Sequence, residues 1–236
     1  HLHRAEEWDQ AVESWYDAAQ TATQAAAHQE AESHLGFALE ALGQTSESSD
    51  RDRKEVELRC LLGVHLQAIH GYAAAEVFEN YDRALQVCER INDPLVTFPI
   101  AYGLFRYHVL QSQLRQASEL AELLLATAEG TQDTSMRLMA HRAAGTTATY
   151  RGQLSSARIH LEAILAVAPS DELRQEISKT DVVDVWVTAR SYLALTLWLQ
   201  GETEQALYQS EQAISEGEQL PHPISLILPV GFSQWL

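Results

Sequence analysis

Residues 142–169 read RAAGTTATYRGQLSSARIHLEAILAVAP, and this stretch decides the fold. Gly145 and Ala148 put small residues on one helical face, and Gly152 then interrupts the pattern at a tight turn. Ala157, Leu161 and Ile164 follow at offsets of four and three, so all three share one face of a second helix. Ala168-Pro169 closes that helix, because the residue before a proline is driven out of the α region. Two helices joined by a glycine turn make a helical hairpin, too small to bury its apolar faces alone.

The second half of this unit recurs. A small residue, then a large or apolar one four later, then a third after three more, appears as Ala31-Leu35-Ala38, Val77-Tyr81-Ala84, Ala117-Ala121-Leu124, Ala157-Leu161-Ile164 and Ala206-Ser210-Ala213. The small member lets a neighbouring helix approach, and the larger member fills the space left. Each such helix is preceded by another helical pattern, carried by Trp8-Ala11-Val12-Trp15, by Leu58-Leu62-Gly63-Leu66, and by residues around 102–107, 138–150 and 192–198. The last is apolar nearly all round, and a helix without a polar face must be covered on both sides. The expected fold class is therefore all-α: an α-solenoid of stacked antiparallel helix hairpins, in a single array over 1–236. Hairpins are expected at 4–44, 51–91, 95–129, 133–168 and 182–219, with the start of a sixth at 222–236, giving eleven helices.

Punctuation supports these boundaries. Asp93-Pro94 sets a capping side chain before a proline at the first helical position. Ser49 with Asp52 is expected to cap the helix that follows Gly43 and the polar 46–50 cluster. Gly152 and Gly201 mark turns inside hairpins, the polar stretch 170–181 reads as a longer connection, and Asp181 and Asp184 flank a helix start, where carboxylates suit the helix dipole.

Composition excludes several alternatives. Glycine and proline number 11 and 6 in 236 residues, too few for the closely spaced turns of an all-β sandwich or barrel. A hydrophobic fraction of 46% is that of a folded chain. The net charge of −17 argues against nucleic-acid binding, which needs a Lys/Arg excess. The apolar runs Leu193–Leu199 and Ile224–Val230 are too short to span a membrane. Cys60 and Cys88 read as reduced, part-buried thiols of a cytoplasmic protein, although a disulfide between neighbouring helices stays open. A chain opening on His1 without an initiator methionine suggests a piece of a longer one.

Gly145, Ala148, Gly152, Ala157, Leu161, Ile164 and Pro169 resemble the tetratricopeptide (TPR) consensus, as do Trp8-x2-Ala11-Val12-x2-Trp15 and the set Ala194, Leu197, Gly201, Ala206, Ala213. The chain departs from that consensus in its longer period and in Ala148, where an aromatic is usual. The order of LLGVHLQAIHGYAAAEV (61–77), Tyr81, Ala84, Phe98-Pro99, the 102–107 helix and His141-Arg142-Ala143-Ala144-Gly145 resembles the C-terminal repeat region of bacterial STAND-type signalling ATPases, especially those fused to class III adenylate/guanylate cyclase domains. Gly71–Val77 is its most specific element, with Ala75 where proline is usual. The resemblance implies a regulatory arm attached to other domains of a parent chain, and no catalysis within the arm.

The residues themselves agree with a non-catalytic reading. No G-x-x-x-x-G-K-[ST], H-E-x-x-H or G-x-S-x-G motif occurs. His28 and His34, six apart, and His65 and His70, five apart, are poorly spaced as metal pairs. No catalytic, cofactor or metal residue is expected, and the paired acids Glu6-Glu7, Glu30/Glu32 and Glu202/Glu204 read as solvated helix faces and turns. The functional candidates are side chains expected to face a concave groove lined by the first helix of each hairpin: Arg106, Tyr107, Arg142, Thr146, Thr149, Arg190, Ser191 and Trp198. Cations there could meet an acidic peptide or a terminal carboxylate, or instead pair with acids on the adjacent hairpin; Trp198, Tyr102 and Trp186 read better as core. The expected function is protein or peptide binding. A small-molecule-sensing repeat domain of a transcription regulator and a structural oligomerisation module are the alternatives.

Overall fold

The structure is a computed structural model that describes residues 2–181, 183–220 and 223–236, with side chains from residue 7 onward. Among the described residues there is no strand. The helices are α1 (Leu2–Gln24), α2 (His28–Leu42), α3 (Ser49–His70), α4 (Ala75–Ile91), α5 (Pro94–Leu110), α6 (Leu114–Glu129), α7 (Thr134–Tyr150), α8 (Leu154–Leu165), α9 (Asp171–Ser178), α10 (Val185–Gln200), α11 (Thr203–Glu218) and α12 (Ile227–Ser233), the last preceded by a 3-10 turn at Pro223–Leu226. His1 and the expected starts of the fifth and sixth hairpins, at 182 and 222, lie outside the described residues.

The chain divides into two compact units, His1–Gln111 and Ser112–Leu236. In the first, α1 pairs with α2 and α3 with α4; α3 packs on α2, and α5 packs on α4 and α3. In the second, α7 pairs with α8 and α10 with α11; α7 also packs on α6, and α10 on α8 and α7. The expected hairpin 95–129 spans the division, with α5 in one unit and α6 in the other.

Every member of the five recurring triplets is buried, most of them completely. The close approach they permit is visible at glycines on the neighbouring helices. A Cβ on Gly145 would sit 2.8 Å from Leu161, and one on Gly103 2.5 Å from the Tyr81 ring. Tyr81 thus occupies a slot between α3 and α5 that side chains at Gly63 and Gly103 would close.

Caps fix the helix starts. Asp93 accepts from the Leu95 amide and Asp184 from the amides of Trp186 and Val187. The cap of α3 is Ser48, which accepts from the Arg51 amide; the expected Ser49 is instead the first helical residue. Gly152 and Gly201 take positive φ at their turns, a conformation open to glycine at little cost.

Two departures concern length and number. The 170–181 connection contains α9, capped by Ser170, so twelve α-helices replace the expected eleven among the described residues. The segment after 222 forms a 3-10 turn and a seven-residue helix packed on α10 and α11, where one longer helix was expected. Cys60 and Cys88 are both free thiols. No helix is long and apolar enough to cross a membrane among the described residues.

Candidate functional site

The eight candidate side chains sit on the first helices of their hairpins, and five of them are buried: Arg106, Arg142, Thr146, Thr149 and Ser191. Those five do not face an open groove, whereas Tyr107, Arg190 and Trp198 are half-buried. A helix flanked by neighbours on both sides turns most of its circumference to other helices, and Arg106, Arg142 and Thr149 accordingly bond to other elements.

In the first unit, the Arg106 guanidinium lies over the Tyr72 ring at 3.7 Å and its Nη1 donates to Gln67 Oε1 at 3.5 Å. Gln67 Nε2 donates in turn to Tyr81 Oη. Burial pushes the Tyr81 hydroxyl well above its ordinary value, so it stays neutral. Tyr107 is half-buried and packs on Phe78, with centroids 4.9 Å apart.

In the second unit, Arg142 of α7 forms an ion pair with Asp181, which follows α9. Asp181 also accepts from the Val183 amide. Its expected place beside the α10 dipole is thereby corrected; Asp184 alone of the two caps that helix. Thr149 donates to the Gly145 carbonyl and meets Thr196 of α10 at 3.1 Å, while Ser191 donates to the Val187 carbonyl. Arg190 is half-buried and binds Glu216 at 2.9 Å and Gln209 at 2.8 Å, both on α11. Trp198 is half-buried; Tyr102 and Trp186 are core.

Helix α9 explains why Arg142 is covered. It packs against α7, buries Ile177, and pairs Arg174 with Asp184. Arg174 also lies 5.1 Å from the centroid of the Trp186 ring, whose Nε1 donates to the Val167 carbonyl. Beside it, a cavity of about 480 Å³ opens between α9, α10, α11 and the 3-10 turn, lined by Asp171, Arg174, Asp184, Trp186, Glu216 and Ser225 among others. Its volume is in the range of small-ligand sites.

Sequence spacing missed two histidine pairs. His28 Nδ1 and His65 Nδ1 are 3.0 Å apart, and so are His141 Nδ1 and His160 Nδ1. Thr23 donates to the Ala19 carbonyl, so its oxygen accepts from His65 Nε2–H. His65 Nδ1 is then an acceptor and His28 Nδ1–H the donor. Burial, and then the His28 ring, push the His65 imidazole down to about 4. Burial also lowers His141 and His160. No group of three or more potential metal ligands occurs among the described residues. The separations of 37 and 19 residues explain the miss: only the stacking of one helix on another brings these rings together.

No protein-family model and no curated protein matches the chain. Solved structures do. The nearly identical TPR-like repeats of a kinesin light chain-like protein of Podosopora anserina align with 89% of this chain and 97% of their own, at 17% identity and a TM-score of 0.62. A point variant of that same protein aligns over 87% of this chain and 94% of its own, at 18% identity and a TM-score of 0.63. At such identity the likeness speaks for the fold, and together with the buried triplets it makes this chain an all-α, TPR-like α-solenoid.

Proposed function

We propose that the chain is a non-catalytic scaffold that binds a protein or peptide along the first helices of its hairpins, as the sensor or regulatory arm of a multidomain bacterial signalling ATPase or cyclase. The observation that supports this most directly is the placement of Arg190 and Trp198 in the second unit: half-exposed, both on α10, and capable of hydrogen bonding, ion pairing and stacking; Tyr107, half-exposed on α5, is the corresponding candidate of the first unit. Within the second unit, buried Arg142 and Thr149 tie α7 to Asp181 and to Thr196 of α10, and in the first unit buried Arg106 ties α5 to Gln67 of α3. An acidic segment would compete with Glu216 for Arg190.

Capture experiments with the full chain test this. The wild-type chain is expected to retain a partner from a bacterial lysate that the Arg190→Ala and Trp198→Ala variants lose, with unchanged helical circular dichroism. Equal capture by both variants would remove these residues from the site, and ATP turnover or cyclase activity in the purified chain would end the non-catalytic reading. The 480 Å³ cavity favours one second reading, small-molecule sensing. That reading expects a thermal shift with a metabolite set, abolished by Trp186→Ala.

A further inference from the structure

The first hairpin carries an aromatic surface distinct from the site above. Trp8, Trp15 and Phe37 are 40%, 37% and 47% exposed. Trp8, Ala11, Trp15 and Ala18 follow one another at offsets of three and four, so they form one stripe along α1. Trp15 bridges to α2: its ring lies 4.9 Å from Phe37 and stacks on His34 at 5.4 Å. Trp15 and Phe37 thus form a shared patch across two antiparallel helices, and Trp8 extends it about two turns along the α1 stripe. Isolated exposed apolar residues are ordinary, but contiguous ones mark an interaction surface.

Charge says what fits there. Between Arg4 and Arg51 there is no lysine or arginine, while the same stretch holds ten acids. Glu7 lies one turn before Ala11 on the stripe, and Glu30 and Glu40 fall seven before and three after Phe37, on its face of α2. All three are exposed. A second copy of this chain would set one acidic hairpin against another, so electrostatics disfavours self-association there. The seam between two antiparallel helices accepts a third helix, as the pair α7 and α8 accepts α10. We infer that this face docks a cationic amphipathic helix of a partner protein. Its aliphatic side would cover Trp8, Trp15 and Phe37, and its lysines and arginines would meet Glu7, Glu30 and Glu40, with indole faces adding cation–π attraction.

The inference does not depend on the first-helix site, and its test separates the two. A dye-labelled helical peptide of Leu/Lys heptads is titrated into the full chain by fluorescence anisotropy, beside a Leu/Glu twin. The Lys peptide is expected to bind, more weakly as salt rises, and the Glu twin to show no binding. Trp15→Ala and Phe37→Ala, both at exposed positions, are each expected to weaken binding about tenfold. Ile159→Ala, at a 66% exposed position in the other unit, and Arg190→Ala are expected to leave it unchanged. Binding that is indifferent to Trp15→Ala and Phe37→Ala would be unlocalised attraction to an acidic protein and would overturn the proposal. So would equal binding of the Glu twin, absence of Lys-peptide binding, or self-association abolished by Trp15→Ala.

Discussion

Tyr81 fills a space that hydrogen atoms at Gly63 and Gly103 keep open. Two effects of opposite sign meet if either glycine becomes alanine. Helix propensity favours alanine by about 1 kcal/mol, while overpacking a closed seam costs about 1–3 kcal/mol. The ring is buried on both sides and cannot swing away, so overpacking wins. Gly103→Ala is expected to lower the stability of the full chain by up to about 2 kcal/mol in urea unfolding, and Tyr81→Leu in the same background to recover part of it; stabilisation by Gly103→Ala alone would show that the ring has room. His65 makes a second prediction at this scale. Its folded value near 4 lies below the ordinary 6.5, so between those values the unfolded chain takes up a proton that the folded chain refuses. Stability therefore falls as pH drops from about 6.5 to about 4, by up to about 3 kcal/mol from this group, and levels off below. Urea midpoints at pH 7, 6 and 5 should show a shallower fall in His65→Gln than in wild type; parallel profiles would clear His65 of the effect. The triplet positions were legible in sequence because offsets of three and four are local geometry. The His28–His65 contact was not, since no local rule relates residues on different hairpins.

Helix α9 shows the same contrast at the scale of an element. Its start was written in Ser170-Asp171-Glu172, a capping serine followed by acids in the first turn, and Leu173 and Ile177 share a face. Eight residues with two apolar positions carry too little periodicity to separate a short helix from a polar connection. Its consequence, the burial of Arg142, was therefore also invisible, and a side chain read as a groove contact is one half of an ion pair. Removing one partner of a buried pair leaves a desolvated charge, which costs about 3–5 kcal/mol when the site stays closed. Helix α9 is short, eight residues with one buried side chain, Ile177, so its detachment and the rehydration of Asp181 are expected to limit the loss. Arg142→Ala is accordingly expected to lower global stability by less than that full cost, while amide exchange across Asp171–Ser178 accelerates to the rate of an open segment. A full loss with α9 still protected would show that the segment cannot open on its own.

For the molecule as a whole, the recurrence of five triplets disclosed the repeat architecture, because stacked hairpins must bury the same face each time. The division at Gln111 and Ser112 was not disclosed; a three-residue turn there looks like any other turn in the sequence. The charge, by contrast, is fully legible and carries a prediction. Thirty-three acids face sixteen lysines and arginines, so even complete pairing leaves seventeen carboxylates without a cationic counterpart. Salt acts on both populations. It weakens exposed ion pairs such as Arg53–Asp93 and Arg158–Glu202, each worth about 0–1 kcal/mol, and it screens the mutual repulsion of the surplus acids, which the folded state holds closer together than the unfolded one. The best-formed exposed pair, Arg90 on Asp52 through two hydrogen bonds, holds the Asp52 carboxyl below its ordinary range, but such pairs are few against the surplus. Repulsion is thus the larger quantity, and the thermal midpoint is expected to rise by a few degrees between about 20 mM and 300 mM NaCl. A falling midpoint would mean that the ion pairs between neighbouring helices contribute more to holding the stack than the net charge does to opening it. The same titration on Arg90→Gln would then identify the contact responsible.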